Sequence, residues 1–191
     1  MVLPQHEIRR AVQQGELVFT PKIEEEQWGP TNIDLRLDSR FTVFQEAKGV
    51  TISIAEGLKA LGAATPWITE DLPEFDEFGN RRSFRIGPGE FVLARTLEVV
   101  KMPPNIIGLI EGRSSYARMG LSMHQTAPWI HPGYNNHITL EIRNSGSLNI
   151  ELTPRIDKPC QLTFLRMSEA VQAEQLYHGQ FQNRQNPISE S

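Results

Sequence analysis

Residues 137–143 read HITLEIR, with apolar and polar side chains alternating without a break. Successive side chains of a strand point to opposite faces, so this period of two marks a half-buried β-strand. Ile138, Leu140 and Ile142 then share the core face, and Thr139, Glu141 and Arg143 share the other. The texture recurs on both sides. Residues 148–152 (LNIEL), 160–164 (CQLTF) and 32–37 (NIDLRL) alternate in the same way, and 40–43 (RFTV) does so in part. Residues 91–94 (FVLA) and 106–110 (IIGLI) are apolar runs bounded by Pro-Gly and Pro-Pro-Asn. Many short strands separated by turns predict a mainly β chain, closed as a barrel or folded as a two-sheet jelly roll.

Helix signals are few. In residues 4–15 (PQHEIRRAVQQG), Pro4 suits a first turn, Ile8, Ala11 and Val12 share a face, and Gly15 is a stop. A second, one- or two-turn helix is expected over 114–119, with Ser114 as cap and Gly120 as stop. Residues 45–83 read as an irregular excursion on the sheet scaffold, with a hairpin turn at Gly79-Asn80. One domain is expected over 1–176, followed by a polar, flexible tail over 177–191 that dangles or folds onto something.

Composition excludes several functions. A formal charge of −4 argues against the basic face that a nucleic-acid polymer needs. Cys160 is the only cysteine, so an intrachain disulfide and a thiol-rich metal site are out. No apolar run approaches the ~18 residues of a membrane span, and MVLPQHEIRR is no signal peptide, so a cytoplasmic protein without membrane contact is expected. His124, His131 and His137 form no close-spaced ligand pair, and the H-x-E and P-C-x-x-C pattern of zinc deaminases is missing.

Two stretches carry chemistry. Residues 124–134 (HQTAPWIHPGY) mix aromatic, imidazole and Pro-Gly in the manner of a pocket wall, and the strand leaving them carries Glu141. A lone strand glutamate is ordinarily a solvated carboxylate; after such a loop it becomes a pocket residue. Residues 111–121 (EGRSSYARMGL) hold two arginines, two serines and two glycines. Arginine forks match phosphate oxygens, and a helix start offers free N–H groups, so a small anion belongs here. Trp129 reads as core, with base stacking as the other option.

Together these blocks, with the strands TNIDLRLDSRF and PCQLTFLRM, resemble the dCTP deaminase branch of the dUTPase-like superfamily over most of the chain. The resemblance implies a distorted β-barrel or jelly roll with a short N-terminal helix and a flexible C-terminal tail. It implies a homotrimer whose active sites are shared between subunits. It also implies zinc-free hydrolysis of dCTP to dUTP and ammonia, with Mg²⁺ bound through the substrate triphosphate. Carried over by motif, Glu141 is the general base that activates water and then protonates the leaving amine. Ser114 and Arg118 stand near the water, the Ala127 carbonyl orients it, and Arg113 and Ser115 hold phosphates. Thr139, Leu140 and His131 line the base and sugar. The lid motif falls on Gln180-Phe181-Gln182-Asn183-Arg184, or uses Tyr177 with Gln180; Tyr177, Gln180 and Gln182 are the substrate-binding residues expected there.

One departure is His131, where dUTPases carry an aspartate that orients the water attacking the α-phosphate. An imidazole replaces that carboxylate poorly, which weighs against dUTP diphosphatase or bifunctional activity more than against deamination. A non-catalytic nucleotide-binding regulator on the same fold is the remaining alternative, and the intact Glu141, Arg118 and Ser114 set argues against it.

Overall fold

The alternation in HITLEIR becomes the inward face of the central sheet: Ile138, Leu140 and Ile142 are at most 3% exposed, while Thr139 and Glu141 are half-buried. Burying each such aliphatic side chain is worth roughly 1.5–3 kcal/mol, which fixes the strand's register. The computed structural model describes residues 1–45 and 48–179, without the side chains of residues 58 and 59. Along the chain run α1 (Gln5–Gln13), β1 (Val18–Thr20), β2 (Asn32–Leu35), β3 (Arg40–Phe44), α2 (Leu58–Ala64), β4 (Trp67–Asp71) and β5 (Phe84–Ile86). Then come β6 (Phe91–Lys101), β7 (Ile106–Gly112), α3 (Ser114–Ala117), β8 (Leu121–Ser122), β9 (Trp129–Ile130), β10 (Asn135–Asn144), β11 (Ile150–Leu152) and β12 (Cys160–Arg166).

The strands form a six-stranded sheet in the order β4-β3-β6-β10-β8, with β1 also on β6, a four-stranded sheet β2-β12-β7-β9, and the pair β11-β5. Every named pairing is antiparallel. The mainly β, jelly-roll-type expectation holds, but the ladders among the described residues do not close into a barrel. β8 and β9 are only two residues long and end their sheets, contributing too few ladder bonds to join them.

Strands β6 and β10 pair with a step between His137↔Val99 and Thr139↔Arg95, so three β6 residues lie opposite Ile138. Thr96, fully buried, stitches the step: its hydroxyl accepts the Ile138 N–H at 3.0 Å and donates to the Glu98 carbonyl at 2.7 Å. The fully buried Glu98 carboxylate accepts from the Arg36 N–H, Arg36 Nε and Gln27 Nε2 at 2.8–2.9 Å. A buried charge is tolerable only when paired and hydrogen-bonded, and this one is both.

Helix α1 starts one residue after Pro4 and is followed by Gly15 at φ 73°, as the sequence suggests. Two local expectations change. Arg113, not Ser114, is the residue before α3, in extended conformation and without a side-chain cap bond. The excursion after β3 is more regular than its composition implied. α2 and β4 lie within it, and β4 extends the large sheet from β3. Gly62 allows that docking, since a Cβ there would sit 2.9 Å from the Trp67 ring. The expected turn is present, with the Asp76 carboxylate bonded to the N–H groups of Phe78 and Asn80.

Candidate active site

On the outward face of the large sheet, cross-strand register sets Glu141 beside Leu93, Thr139 beside Arg95, and Arg143 beside Phe91. That face opens into a cavity of about 640 Å³ whose lining includes Glu141, Ala127, His131, Thr139 and Tyr177. Glu141 Oε2 accepts the Gln125 N–H at 2.9 Å, and the Gln125 side chain donates to the Glu141 carbonyl at 3.1 Å. The loop before β9 is thus clamped onto the strand that carries the carboxylate. Its other oxygen has no hydrogen-bond partner among the described residues, which suits a group that must meet water.

At the mouth, the His131 and Tyr177 rings lie nearly parallel at 6.1 Å, and Tyr177 tilts against Tyr134 at 5.6 Å. The Tyr177 N–H donates to the Pro132 carbonyl at 2.8 Å, tying the start of the tail to this loop. Burial pushes the Tyr134 phenol far above its usual pKa, and its hydroxyl donates to the His137 carbonyl. Deeper in, His124 Nε2 lies 3.1 Å from Glu111 Oε2, while its buried Nδ1 has no partner among the described residues.

The arginine-serine block lies elsewhere. Arg113, Ser115 and Arg118 line a second cavity of about 1000 Å³, together with the 146–151 segment, and the two linings have no residue in common. Arg113 is engaged by the fold, with Nε 3.2 Å from Asp34 Oδ2 and a bond to the Lys158 carbonyl. Burial nevertheless raises the Asp34 carboxyl above its ordinary range, against the pull of Arg113. Tyr116 donates to Asp157 at 2.9 Å, and burial with that carboxylate pushes the phenol up to about 12. Arg118 is exposed and has no ion-pair partner among the described residues. Ser114 is exposed at the start of α3.

Within one chain, then, the structure gathers Glu141, Ala127, Thr139, His131 and Tyr177 but keeps Arg113, Ser115 and Arg118 apart from them. Leu140 departs from expectation. Its side chain is fully buried on the opposite face, so only its main chain reaches the pocket side. Gln180, Gln182 and Arg184 lie outside the described residues. Sequence reading missed Gln125, because it acts through its amide N–H, which residue type does not reveal. It also missed Phe44, Leu61, Phe91 and Leu93, the apolar end of the first cavity. The period-two pairing of Phe91 with Leu93 was a usable signal, hidden inside a run that is apolar throughout.

A family model described as dCTP deaminase-like matches residues 2–167. The chain belongs to that family. This dCTP deaminase-like protein is 37% identical over 172 residues to a dCTP deaminase, dUMP-forming, from Rhodococcus opacus (strain B4), covering 90% of this chain and 84% of the relative. It is 35% identical over 170 residues to a protein of the same description from Methanobrevibacter smithii, covering 87% and 81%. Among solved structures it matches 2'-deoxycytidine 5'-triphosphate deaminase from Agrobacterium tumefaciens with a TM-score of 0.61 at 17% identity. That match covers 85% of this chain and about half (47%) of the other, and shows the fold.

Proposed function

We propose that this chain is a hydrolase that deaminates dCTP to dUTP and ammonia with Glu141 as general base. The observation that carries the reading is the Glu141 carboxylate, held by the Gln125 amide at 2.9 Å inside a cavity that also presents Ala127, Thr139 and His131. Glu141 takes a proton from water as its oxygen adds to C4 of the cytosine, then delivers it to the amine as the C4–N bond breaks. The Ala127 carbonyl orients the water. Thr139 and the Leu140 main chain face the base, and His131 donates to the sugar.

Phosphate binding requires the separate cavity of Arg113, Ser115 and Arg118. A homotrimer in which Ser114 and Arg118 of one copy meet Glu141 of the next, with Arg113 and Ser115 beside them on the phosphates, joins the two half-sites. Magnesium arrives coordinated by the substrate's phosphate oxygens; no cluster of three or more His, Cys, Asp or Glu that could hold a metal occurs among the described residues. Tyr177 stands at the mouth, and Gln180 and Gln182 follow it as the lid over the phosphates. No helix among the described residues is long and apolar enough to cross a membrane, and we place the enzyme in the cytoplasm.

Incubating the protein with dCTP and Mg²⁺, then separating products, tests the reading. Glu141→Gln should keep the fold and dCTP binding while losing roughly 10²–10⁴-fold in turnover; near-normal deamination by this variant removes Glu141 from the mechanism. A second reading, further hydrolysis to dUMP and pyrophosphate, is favoured by the dUMP-forming description of the relatives. His131 weighs against it, because an imidazole orients a phosphate-directed water less well than a carboxylate. dUTP without pyrophosphate in the same incubation supports the first reading, and dUMP with pyrophosphate the second.

A further inference from the structure

The Glu141 cavity has two chemically different ends. One is polar, with His124, Gln125, His131 and Thr139. The other is built from Phe44, Leu61, Phe91 and Leu93, all half-buried, and it begins at Glu141 itself, because Leu93 is the cross-strand neighbour of Glu141. The Phe44 and Phe91 rings stack at 5.9 Å and 16°. Leu61 reaches them from α2, which the Gly62–Trp67 approach holds against the sheet. Beyond this wall a further cavity of about 710 Å³ is bounded by the same Phe44, Leu61 and Phe91.

Cytosine chemistry gives this end a meaning. C4, the carbon that must face Glu141, is flanked in the ring by N3, which needs a hydrogen-bond partner, and by C5, which carries only hydrogen. An apolar surface next to the carboxylate suits the C5 edge and would leave N3 unpaired. The four apolar residues also extend the pocket past the ring. We infer that the enzyme accepts cytosine deoxynucleotides bearing a small apolar substituent at C5, and converts 5-methyl-dCTP to the thymidine nucleotide. This rests on the deaminase reading above. The step is the same hydrolysis: the water oxygen bonds to C4 and the C4–N bond breaks. Of the two water protons one ends on N3 and one leaves in ammonia, so Glu141 finishes as it began.

The test measures kcat/KM for dCTP, 5-methyl-dCTP and 5-carboxy-dCTP on the full chain, with products separated. The expected result is 5-methyl-dCTP within about tenfold of dCTP, since burying one methyl-sized group changes an equilibrium by roughly fourfold. 5-carboxy-dCTP should fall at least ~100-fold below dCTP, because an unpaired charge meets an apolar wall. Turnover of dCTP with more than a tenfold loss for the 5-methyl substrate overturns the inference and leaves the deaminase reading standing. No turnover of dCTP overturns both. Leu61→Trp, which fills the apolar end, should lower the ratio of 5-methyl-dCTP to dCTP kcat/KM at least fivefold, whatever it does to dCTP alone. An unchanged ratio, or equal use of the 5-carboxy substrate, removes this wall from the C5 edge.

Discussion

Gly133 joins the loop that carries His131 to the 176–177 segment packed against it, and replacing it with alanine should disturb both. Its φ is 83°, in the left-handed region, where a side chain costs roughly 1–2 kcal/mol. The added Cβ would also lie 2.9 Å from Leu176 Cβ, 3.0 Å from the Tyr177 nitrogen and 3.2 Å from Leu176 Cδ2. A backbone nitrogen and a Cβ fixed to the backbone cannot yield as the end of a flexible side chain can, so the 176–177 segment must lift. Lifting breaks the Tyr177 N–H bond to the Pro132 carbonyl, worth roughly 1 kcal/mol, and separates Tyr177 from His131 and Tyr134. The two contributions together come to about 2–3 kcal/mol. At roughly 2–4 °C per kcal/mol for a domain of this size, that lowers Tm by about 4–12 °C. Calorimetry on Gly133→Ala, Tyr177→Ala and the double variant separates strain from undocking. Undocking predicts that the double variant loses at least ~0.5 kcal/mol less than the sum of the singles, and that Gly133→Ala raises KM for dCTP. Strict additivity with unaltered KM would refute a tail docked through this glycine.

Two further predictions concern assembly and acid. Arg118→Ala and Glu141→Gln should each be nearly inactive alone, but dissociating and reassociating a mixture should restore a fraction of wild-type deamination. No recovery in a mixture shown to have exchanged subunits would place both residues in one chain's site. Burial lowers the pKa of His137, outweighing its bond to the Thr96 carbonyl. Below the unfolded value of about 6.5, the unfolded chain takes up a proton that the folded chain refuses. Stability should therefore fall as pH drops through that window. His137→Asn should flatten that part of the curve in urea titrations between pH 5 and 7, and an identical slope in the variant would discard the assignment.

The strands legible in the sequence were those with one wet face. β10, β12 and β2 alternate because each separates core from solvent or pocket, so period two survives in their composition. The excursion after β3 was opaque for the converse reason. α2 is seven residues, small or apolar except for Lys59, with no side-chain cap, and its position depends on a ring five residues away. Glu141 was legible because an alternating strand fixes its face and the loop before it has pocket composition. The separation of Arg118 from Glu141 was not, because the distance in space between a helix end and a strand leaves no trace in either one. Gln125 was invisible for a related reason, since any residue can supply an amide N–H.

The step between β6 and β10 imposes a parity on the chain. β6 runs past it without losing its rhythm: Val92, Ala94, Thr96, Glu98 and Val100 are buried, and the residues between them are not. The extra length opposite Ile138 is even, so Leu93 and Phe91 still emerge on the same side as Glu141. An odd change of length there would turn Phe91 and Leu93 into the core and bring Val92 and Ala94 out beside the carboxylate. The pocket would lose its wall although every residue that forms it were still present. Chains built on this frame can lengthen or shorten at that step only two residues at a time if they are to keep the same surface against the nucleotide.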